Sequence, residues 1–469
     1  MFPARYLFFI FFFSIIFFNL HANNTLPDIG VIATNTLSLE EEARIGKIYA
    51  KELKKQLTVI DDPLTNMYIK NIGYTLLSHN QDIKNSFHFF LIQKNDINAF
   101  AFFGGHIGIF TGLILACKTE DEFASVLSHE IAHITQRHLA RQIAAQTPTM
   151  NIASIIASTL LILVSPQAGM ASLHTSLALQ QQHAINYTRS NEVEADQIGL
   201  TVLTKSGYNP YAAYHFFKTL SNQHQFAQMP PALLLTHPLT NERMNFVLNF
   251  ALQIPEKDYP KHPNFDIIQQ RIQVLYTTSK YDQLKNKYQK EKKEYGLALI
   301  AYVEKEYTQA LSYVNKLLSE SPYNIFFSTL KADILVAQKK YQESIDYLYQ
   351  IKENSFYLPI IHLHLAKAYI EKKEYRQAKT ILELYLQKNT EKTVALNMLL
   401  TVYSKLSLYV DFFVTQAKIQ FATGRYQESI DSLKKALTQQ QISHYQKIKI
   451  DAEIRAYTLQ YQQVKQILK

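Results

Sequence analysis

The sequence predicts a mostly α fold, in which an α+β domain of helices and a small sheet is followed by an α-solenoid. Between residues 119 and 135, apolar side chains recur at helical spacing. The segments 86–92 and 107–111 are rich in aromatic and β-branched residues, which favours two strands. After residue 264, tyrosines and small residues repeat at a fixed interval, which indicates stacked pairs of helices.

The segment 1–22 is predicted to be an export signal. Arg5 supplies a positive start, residues 6–18 are almost entirely apolar, and Ala22 offers a small residue at a cleavage point. The apolar run is shorter than the roughly 20 residues that a membrane span needs. A retained signal anchor is the alternative to cleavage near Ala22.

Composition and charge narrow the class of protein. With 469 residues, of which 47% are hydrophobic and 19% charged, the chain has a globular profile and room for two or three domains. The formal net charge is +9, but the lysines are spread along the C-terminal part and no nucleic-acid motif occurs, so no nucleic-acid partner is predicted. Peripheral attraction to an anionic membrane surface stays open.

Start and stop signals place the helices of the first domain. Acidic residues at 40–42 suit the start of a helix-rich stretch over 37–78, and Thr119 with Glu122 predicts a capping box. The apolar segment 152–164 is too short for a membrane span and is predicted to be a buried or capping helical hairpin, with contact to lipid or substrate as the alternative. A helix over 192–205 is predicted to end at Gly207.

A proline cluster separates the two parts of the chain. Three prolines lie among charges in a predicted linker, 255–264, between a domain over 23–254 and a repeat domain over 265–469. In the repeat domain, Tyr307, Tyr341 and Tyr375 recur at one constant interval. The next matching tyrosine, Tyr426, follows after one and a half intervals, which predicts an extra helix over 394–406.

Each repeated tyrosine is flanked by small residues, three positions after it and nine before it. This pattern resembles tetratricopeptide repeats, in which small residues let two helices approach and the tyrosine packs at the turn between them. A coincidental helical array is the alternative. The small residues are Ala298, Ala310, Ala332, Ser344, Ala366 and Ala378, with Ala417 and Ser429 beside Tyr426.

Residues 129–133 contain the pattern that points to chemistry. His129 and His133 stand four apart on the predicted helix, so both imidazoles lie on one face and can share a metal ion. Glu130 points to the side between them, where a carboxylate can take a proton from water. On the later helix, Glu192 and Asp196 also stand four apart on one face. Solvated helices that carry histidines or acids at this spacing are the alternative.

Together these two helices resemble the HtpX/Oma/CAAX-prenyl-protease family of zinc peptidases. The resemblance implies a zincin-like fold with one Zn²⁺ per chain, bound by His129, His133 and Glu192. It also implies that Glu130 is the catalytic base and that Asp196 orients a ligand histidine from outside the metal's ligand shell. The matching motifs are His129-Glu130-x-x-His133 and Glu192-x-Glu194-Ala195-Asp196-x-x-Gly199.

Two further elements resemble that family. Residues 98–105 resemble its glycine hairpin beside the active site, and the strand that follows the hairpin is where an extended substrate is expected to pair. Residues 236–239, with Arg243 six residues after His237, match a second family element. Arg189, three residues before Glu192, is a candidate for steadying the site through its charge.

Other polar residues are predicted to lie outside the site. His138 stands five residues after His133, which rotates it off the ligand face of a continuous helix. His106 and His174 have no partner at ligand spacing. Glu194 is predicted to face solvent.

The export signal, the zinc domain and the repeats together are similar to one subgroup, the periplasmic proteases that enhance β-barrel assembly in Gram-negative bacteria. The resemblance implies a periplasmic location and a dual role, assembly of outer-membrane β-barrel proteins and degradation of misfolded or stalled ones. It also implies that the repeat domain contacts these substrates and the barrel assembly machinery. A chaperone or scaffold, in which protein binding by the repeats dominates and the protease is dormant, is the alternative.

In that subgroup, the histidine that matches His237 can take the fourth zinc position. The resemblance therefore implies a latent protease gated by His237, since an active zinc needs an open position. An always-open site, in which His237 binds substrate or an oxyanion, is the alternative.

Overall fold

The computed structural model describes residues 37–145, 178–226, 231–277, 280–352, 357–389 and 392–467. The predicted export signal, the apolar segment 152–164 and His174 lie outside these residues. The N-terminal elements are α1 (Leu39–Gln56), β1 (Val59–Ile60), α2 (Pro63–Ser78), β2 (His88–Ile92), β3 (Ala99–Phe102), β4 (His106–Phe110), α3 (Thr111–Ala116), α4 (Glu120–Thr135), α5 (His138–Ala145), α6 (Ala178–Lys205), α7 (Tyr211–Phe226), α8 (Ala232–Thr236) and α9 (Asn241–Leu252).

The C-terminal elements are all helical. They are α10 (Pro263–Ile272), which continues into a π-helical turn (Gln273–Thr277), then α11 (Tyr281–Glu291), α12 (Glu294–Val303), α13 (Tyr307–Glu320), α14 (Ile325–Ala337), α15 (Tyr341–Lys352), α16 (Leu358–Glu371), α17 (Tyr375–Lys388), α18 (Thr393–Lys405), α19 (Tyr409–Ala422), α20 (Tyr426–Leu437) and α21 (His444–Ile467). The predicted order of an α+β domain followed by a helical array is confirmed. None of the helices in the described ranges combines the length and the apolar character that crossing a bilayer requires.

Four short strands form the sheet, in the order β1-β2-β4-β3. The two strands predicted from the sequence are β2 and β4, which pair in parallel, and β3 pairs antiparallel with β4. Because β4 has a partner on each side, the prediction that a substrate pairs with the strand after the glycine hairpin is wrong. Among the described residues, β1 and β3 are the two edge strands, and β3 is the one beside the glycine turn, so we take its edge as the one open to strand addition there.

The turn between β3 and β4 is a close contact with α1. Gly104 has φ 70° and Gly105 has φ 78°, a left-handed conformation that side chains with a Cβ rarely adopt. A Cβ at Gly46 of α1 would lie 2.0 Å from the carbonyl oxygen of Phe103, so α1 rests directly on this turn. Glycines on both sides of the contact therefore determine the shape of the turn and its position against α1.

The helical array follows the predicted repeat. Tyr307, Tyr341, Tyr375 and Tyr426 each begin a helix, and α18 lies where the extra helix was predicted. The flanking small residues are buried, and the Ser344 hydroxyl donates a 3.0 Å hydrogen bond to the Ala332 carbonyl of the paired helix. The Ser429 hydroxyl donates to the Ala417 carbonyl in the same way, so α19 and α20 make the same contact as the earlier helix pair. Tyr409, one full interval after Tyr375, also begins a helix and was not predicted.

Both ends of the array contact the N-terminal domain. At one end, Arg271 of α10 pairs with Asp62 before α2, with Nε 2.5 Å from Oδ2 and Nη2 3.0 Å from Oδ1. At the other end, the Lys51 ammonium of α1 lies 4.0 Å from the ring centre of Phe421 and 4.8 Å from that of Tyr426. The array therefore returns to the helix that supports the glycine turn.

The Asp62–Arg271 pair should make stability depend on pH. Burial opposes ionisation of Asp62, but the charge and hydrogen bonds of Arg271 lower the pKa of this carboxyl below its ordinary value. A lowered folded-state pKa stabilises the fold above the unfolded value of about 3.9, and this contribution is lost as pH falls through the folded value. Asp62→Asn should therefore be less stable than the parent in urea unfolding at pH 7, and the difference should shrink below about pH 4. A difference that stays constant over that range would contradict this assignment.

Candidate metal centre

Helix α4 carries the histidine motif, and its N-terminus is capped by Thr119. Thr119 Oγ1 accepts a hydrogen bond from the Glu122 backbone N–H. The predicted capping box is only half formed, because the Glu122 carboxylate accepts from the Lys118 N–H rather than from that of Thr119. Three fully buried side chains, Phe123, Leu127 and Ile131, hold one face of α4 in the core, which leaves His129 and His133 on another face.

Helix α6 crosses α4 at close range and carries the acidic motif. A Cβ at Gly199 would lie 3.1 Å from the backbone N of His129 and 3.2 Å from its Cα. These distances are shorter than ordinary van der Waals contacts, so glycine at this position favours the close approach of the two backbones. This approach brings Glu192 of α6 to the histidines of α4.

The four predicted ligands form one cluster. His129, His133, Glu192 and His237 each offer a donor atom, and these atoms lie within 4.8 Å of one another. The Nε2 atoms of His129 and His133 are 3.0 Å apart, and Glu192 Oε2 lies 3.3 Å from His129 Nε2. Two imidazole nitrogens and one carboxylate are a donor set that suits zinc, with His237 as a fourth donor.

His237 reaches the cluster from a short segment after α8. The Leu233 N–H of α8 donates to the Ile97 carbonyl just before β3, which anchors the segment beside the sheet. His237 Nδ1 lies 2.9 Å from Glu192 Oε1, and its Nε2 lies 3.4 Å from Glu130 Oε1. The imidazole thus stands between a predicted ligand and the predicted base.

Asp196 contacts the side of His129 that faces away from the cluster. Its Oδ1 lies 3.0 Å from His129 Nδ1, the position expected of a group that orients this imidazole. Arg243 donates to both Asp196 oxygens, from Nε at 2.6 Å and from Nη2 at 2.8 Å. Its Nη1 donates to the Pro238 carbonyl and lies 2.8 Å from Glu192 Oε2. Arg243 therefore joins the His237 segment to Glu192 and Asp196 of α6.

Glu130 is a buried carboxylate beside the cluster. Its side chain is 1% exposed, and neither oxygen has a hydrogen-bond partner among the described residues. Burial raises the pKa of this carboxyl, while His237 and His129 oppose the rise. A carboxylate without a partner is available to hold a water molecule and to take its proton. Glu130 and His133 line a cavity of about 200 Å³ together with residues of β3, so the open strand edge leads to this carboxylate.

The surroundings of the cluster differ from the sequence predictions at two residues. His138 lies outside the four clustered donors, as predicted, but its Nδ1 is 2.8 Å from His133 Nδ1, so it is a direct neighbour of the cluster. Glu194, which was predicted to be solvated, accepts from Arg141 at 3.0 Å and lies 3.1 Å from His138 Nε2. On one continuous helix His138 would lie away from His133, but α4 ends at Thr135 and the chain turns at Arg137, where φ is 55°.

The remaining polar candidates lie elsewhere. Arg189 is exposed. His106 is buried beside the glycine turn, where its Nδ1 lies 2.9 Å from the Phe103 carbonyl. Neither residue is part of the cluster of four donors.

The chain is similar to known proteins over this domain and over its whole length. The model of Peptidase family M48 matches residues 63–251, which include the four clustered residues and Arg243. The beta-barrel assembly-enhancing protease of Escherichia coli (strain K12) is 34% identical over 443 residues, which cover 92% of this chain and 91% of the relative. The protein of the same name from Yersinia pestis is 33% identical over 450 residues, with 93% and 92% covered.

Another relative matches a smaller part of the chain. The mitochondrial metalloendopeptidase OMA1 of Schizosaccharomyces pombe is 32% identical over 219 residues, which cover 45% of this chain and 61% of that protein. The similarity to this relative therefore covers less than half of the chain. With a cluster that could hold a metal ion inside the matched segment, and with relatives that align over nearly their full length, the chain belongs to peptidase family M48 and is a metallopeptidase.

Proposed function

We propose that the chain is a zinc-dependent endopeptidase with a latent active site. One Zn²⁺ per chain would be held by Nε2 of His129, Nε2 of His133 and the Glu192 carboxylate, with Asp196 orienting His129. The observation that carries this proposal is the convergence of these donors around one point, beside a buried Glu130 carboxylate that has no hydrogen-bond partner among the described residues.

The protein's own groups would carry out the proton transfers. When bound, zinc supplies a Lewis acid that polarises the scissile carbonyl and makes water easier to deprotonate. Glu130 accepts a proton from the attacking water on a carboxylate oxygen and then delivers it to the leaving amine. The open edge of β3 binds the substrate as an added strand, which reads backbone rather than side chains, so extended or unfolded segments suit it best.

His237 would close the site. Its imidazole lies within 3.4 Å of Glu130 and contacts Glu192, so it would compete with water for a fourth position on a bound zinc ion. Besides the contacts of the imidazole, two hydrogen bonds hold this segment: the Leu233 N–H donates to the Ile97 carbonyl beside the sheet, and Arg243 donates to the Pro238 carbonyl. A displacement of the segment would open the position, which makes His237 the gate.

Replacing the gate should raise proteolysis. If the closed state dominates about ten to one, His237→Ala should cleave casein roughly tenfold faster than the parent, since the competent fraction then approaches one. The purified mature chain would be assayed with zinc, with His215→Ala as a matched change of an exposed histidine on α7. Unchanged or lower cleavage by His237→Ala would exclude gating and favour an always-open site in which this histidine binds the substrate.

The relatives support a proposal for the biological setting. Because proteins named for enhancing β-barrel assembly align with nearly the whole chain, we propose that it acts on misfolded or stalled outer-membrane β-barrel proteins. The setting would be the periplasm, after cleavage of residues 1–22, with a peptidase domain over 23–254. The tetratricopeptide-like repeats over 265–469 would bind these substrates and the barrel assembly machinery.

A chaperone or scaffold role is the second candidate. The described part of the array exposes large side chains, among them Tyr323 at 74% and Tyr445 at 75%, on which another protein could pack. A cell that carries only Glu130→Gln separates the two roles. If outer-membrane barrels still assemble normally, the repeats act independently of proteolysis; if assembly fails together with cleavage, an independent chaperone role is excluded.

A further inference from the structure

A second set of contacts leads from His133 away from the metal cluster. His133 Nδ1 lies 2.8 Å from His138 Nδ1, and His138 Nε2 lies 3.1 Å from Glu194 Oε2. Arg141 Nη1 donates to the same Glu194 oxygen at 3.0 Å. The His138 side chain is 4% exposed, so this chain of contacts is largely shielded from water. It connects α4, α5 and α6 behind one of the proposed zinc ligands.

The chemistry of imidazole assigns each proton in this chain. His133 directs Nε2 at the cluster, 3.4 Å from Glu192 Oε1, so a neutral His133 that binds metal through Nε2 carries its hydrogen on Nδ1. That hydrogen needs an acceptor, and the near atom is His138 Nδ1. His138 must then carry its own hydrogen on Nε2, which donates to the Glu194 carboxylate. Every nitrogen thus has one role, and the tautomers of both rings are determined.

The two histidine ligands are held in different ways. Asp196 contacts His129 Nδ1 directly, because it lies on the same face of α6 as Glu192. Glu194 stands two residues after Glu192, about 200° around the helix, so it faces away from the cluster. The His138 imidazole lies between Glu194 and His133 and contacts both of them. His138 therefore accepts a hydrogen bond from Nδ1 of His133, just as the Asp196 carboxylate accepts one from Nδ1 of His129.

The turn that places His138 is itself fixed. Arg137, at φ 55°, donates from Nε to Glu42 Oε1 of α1 at 2.8 Å and from Nη2 to the Leu37 carbonyl at 2.5 Å. Arg137 is 6% exposed and Glu42 is 4% exposed. The reversal after α4 is thus secured by buried contacts to α1, and it returns His138 to the back of His133.

We propose that His138 is a positioning residue for the metal centre, which orients His133 and polarises it through Glu194. This inference rests on the proposed function, since it requires His133 to be a zinc ligand. Groups that hold a ligand histidine in this way typically change metal affinity roughly 10- to 100-fold when they are removed.

The test measures zinc binding by the full mature chain. Competition with a coloured chelator should show that His138→Phe, which keeps a ring but has no acceptor, binds zinc about 10- to 100-fold more weakly. His138→Asn should recover most of the affinity, because its Oδ1 takes nearly the place of Nδ1 and can accept from His133. His362→Phe replaces a buried histidine of the repeat array and should bind zinc as the parent does.

Two further measurements separate positioning from a general effect on folding. The visible spectrum of the cobalt(II)-loaded protein should change in His138→Phe and revert in His138→Asn. Glu194→Leu should weaken zinc binding by itself but add little to His138→Phe, because both changes break one pathway. If His138→Phe does not fold, Glu194→Leu and His138→Asn still decide the matter.

The outcomes are distinct. Unchanged zinc affinity in a folded His138→Phe, equal losses in His138→Phe and His138→Asn, or fully additive losses with Glu194→Leu would each overturn the role of His138 and leave the zinc peptidase intact. If the parent binds no zinc, the proposed function fails, and this inference fails with it.

Discussion

Glu130→Gln is expected to abolish proteolysis while leaving the metal in place. Glu130 lies outside the proposed ligand set, so the substitution should not remove a zinc donor. An amide cannot accept the proton of the attacking water, and loss of a positioned general base typically lowers a rate roughly 10²- to 10⁴-fold. Casein cleavage should therefore fall to background, while the zinc content measured by mass spectrometry stays at one per chain.

The melting temperature of Glu130→Gln shows whether the loss of proteolysis comes from missing chemistry or from a damaged fold. The Glu130 carboxyl is buried without a hydrogen-bond partner among the described residues, and burial raises its pKa. Removing that charge should not lower the melting temperature, as is common where a catalytic group is held at a cost to stability. Glu371→Gln, an exposed change on α16, is the matched control. Residual cleavage near the parent's rate would mean that another group takes the proton.

The parts of the site that depend on local spacing could be predicted from sequence. His129 and His133, and likewise Glu192 and Asp196, share a helix face because their positions differ by four. The repeated tyrosines likewise marked helix starts, because the same turn geometry recurs in each repeat.

The parts that depend on chain reversals and strand order could not be predicted in this way. His138 returns to His133 because the helix is interrupted at Arg137, where the turn requires a residue in the left-handed conformation. Arginine has no particular preference for this conformation, so the sequence does not predict a turn at this position. The open strand edge was also misplaced, since β3 and β4 are both short apolar segments and only their pairing partners distinguish them.

Arg243→Leu is expected to lower the free energy of unfolding more than any other single change in the metal centre. Arg243 is 4% exposed and binds Asp196 through two parallel hydrogen bonds, and its third nitrogen lies beside Glu192. Without the guanidinium, the buried Asp196 carboxylate loses its main positive partner, and Glu192 loses one close cation. Breaking a buried pair in this way typically costs about 3–5 kcal/mol, so urea unfolding should show a loss of this size. Zinc binding should weaken as well, because Asp196 no longer holds a fixed position behind His129.

Two companion variants make this prediction specific to the pair. Arg243→Lys keeps the charge but cannot form the bidentate contact, so its stability should fall between those of the parent and Arg243→Leu. In Asp196→Leu with Arg243→Leu, no Asp196 carboxylate is left unpaired, so part of the stability should return while zinc affinity stays low. A double variant that is less stable than Arg243→Leu would contradict the pairing, whereas recovery of stability without recovery of zinc would show that Asp196 and Arg243 serve the metal rather than the fold alone.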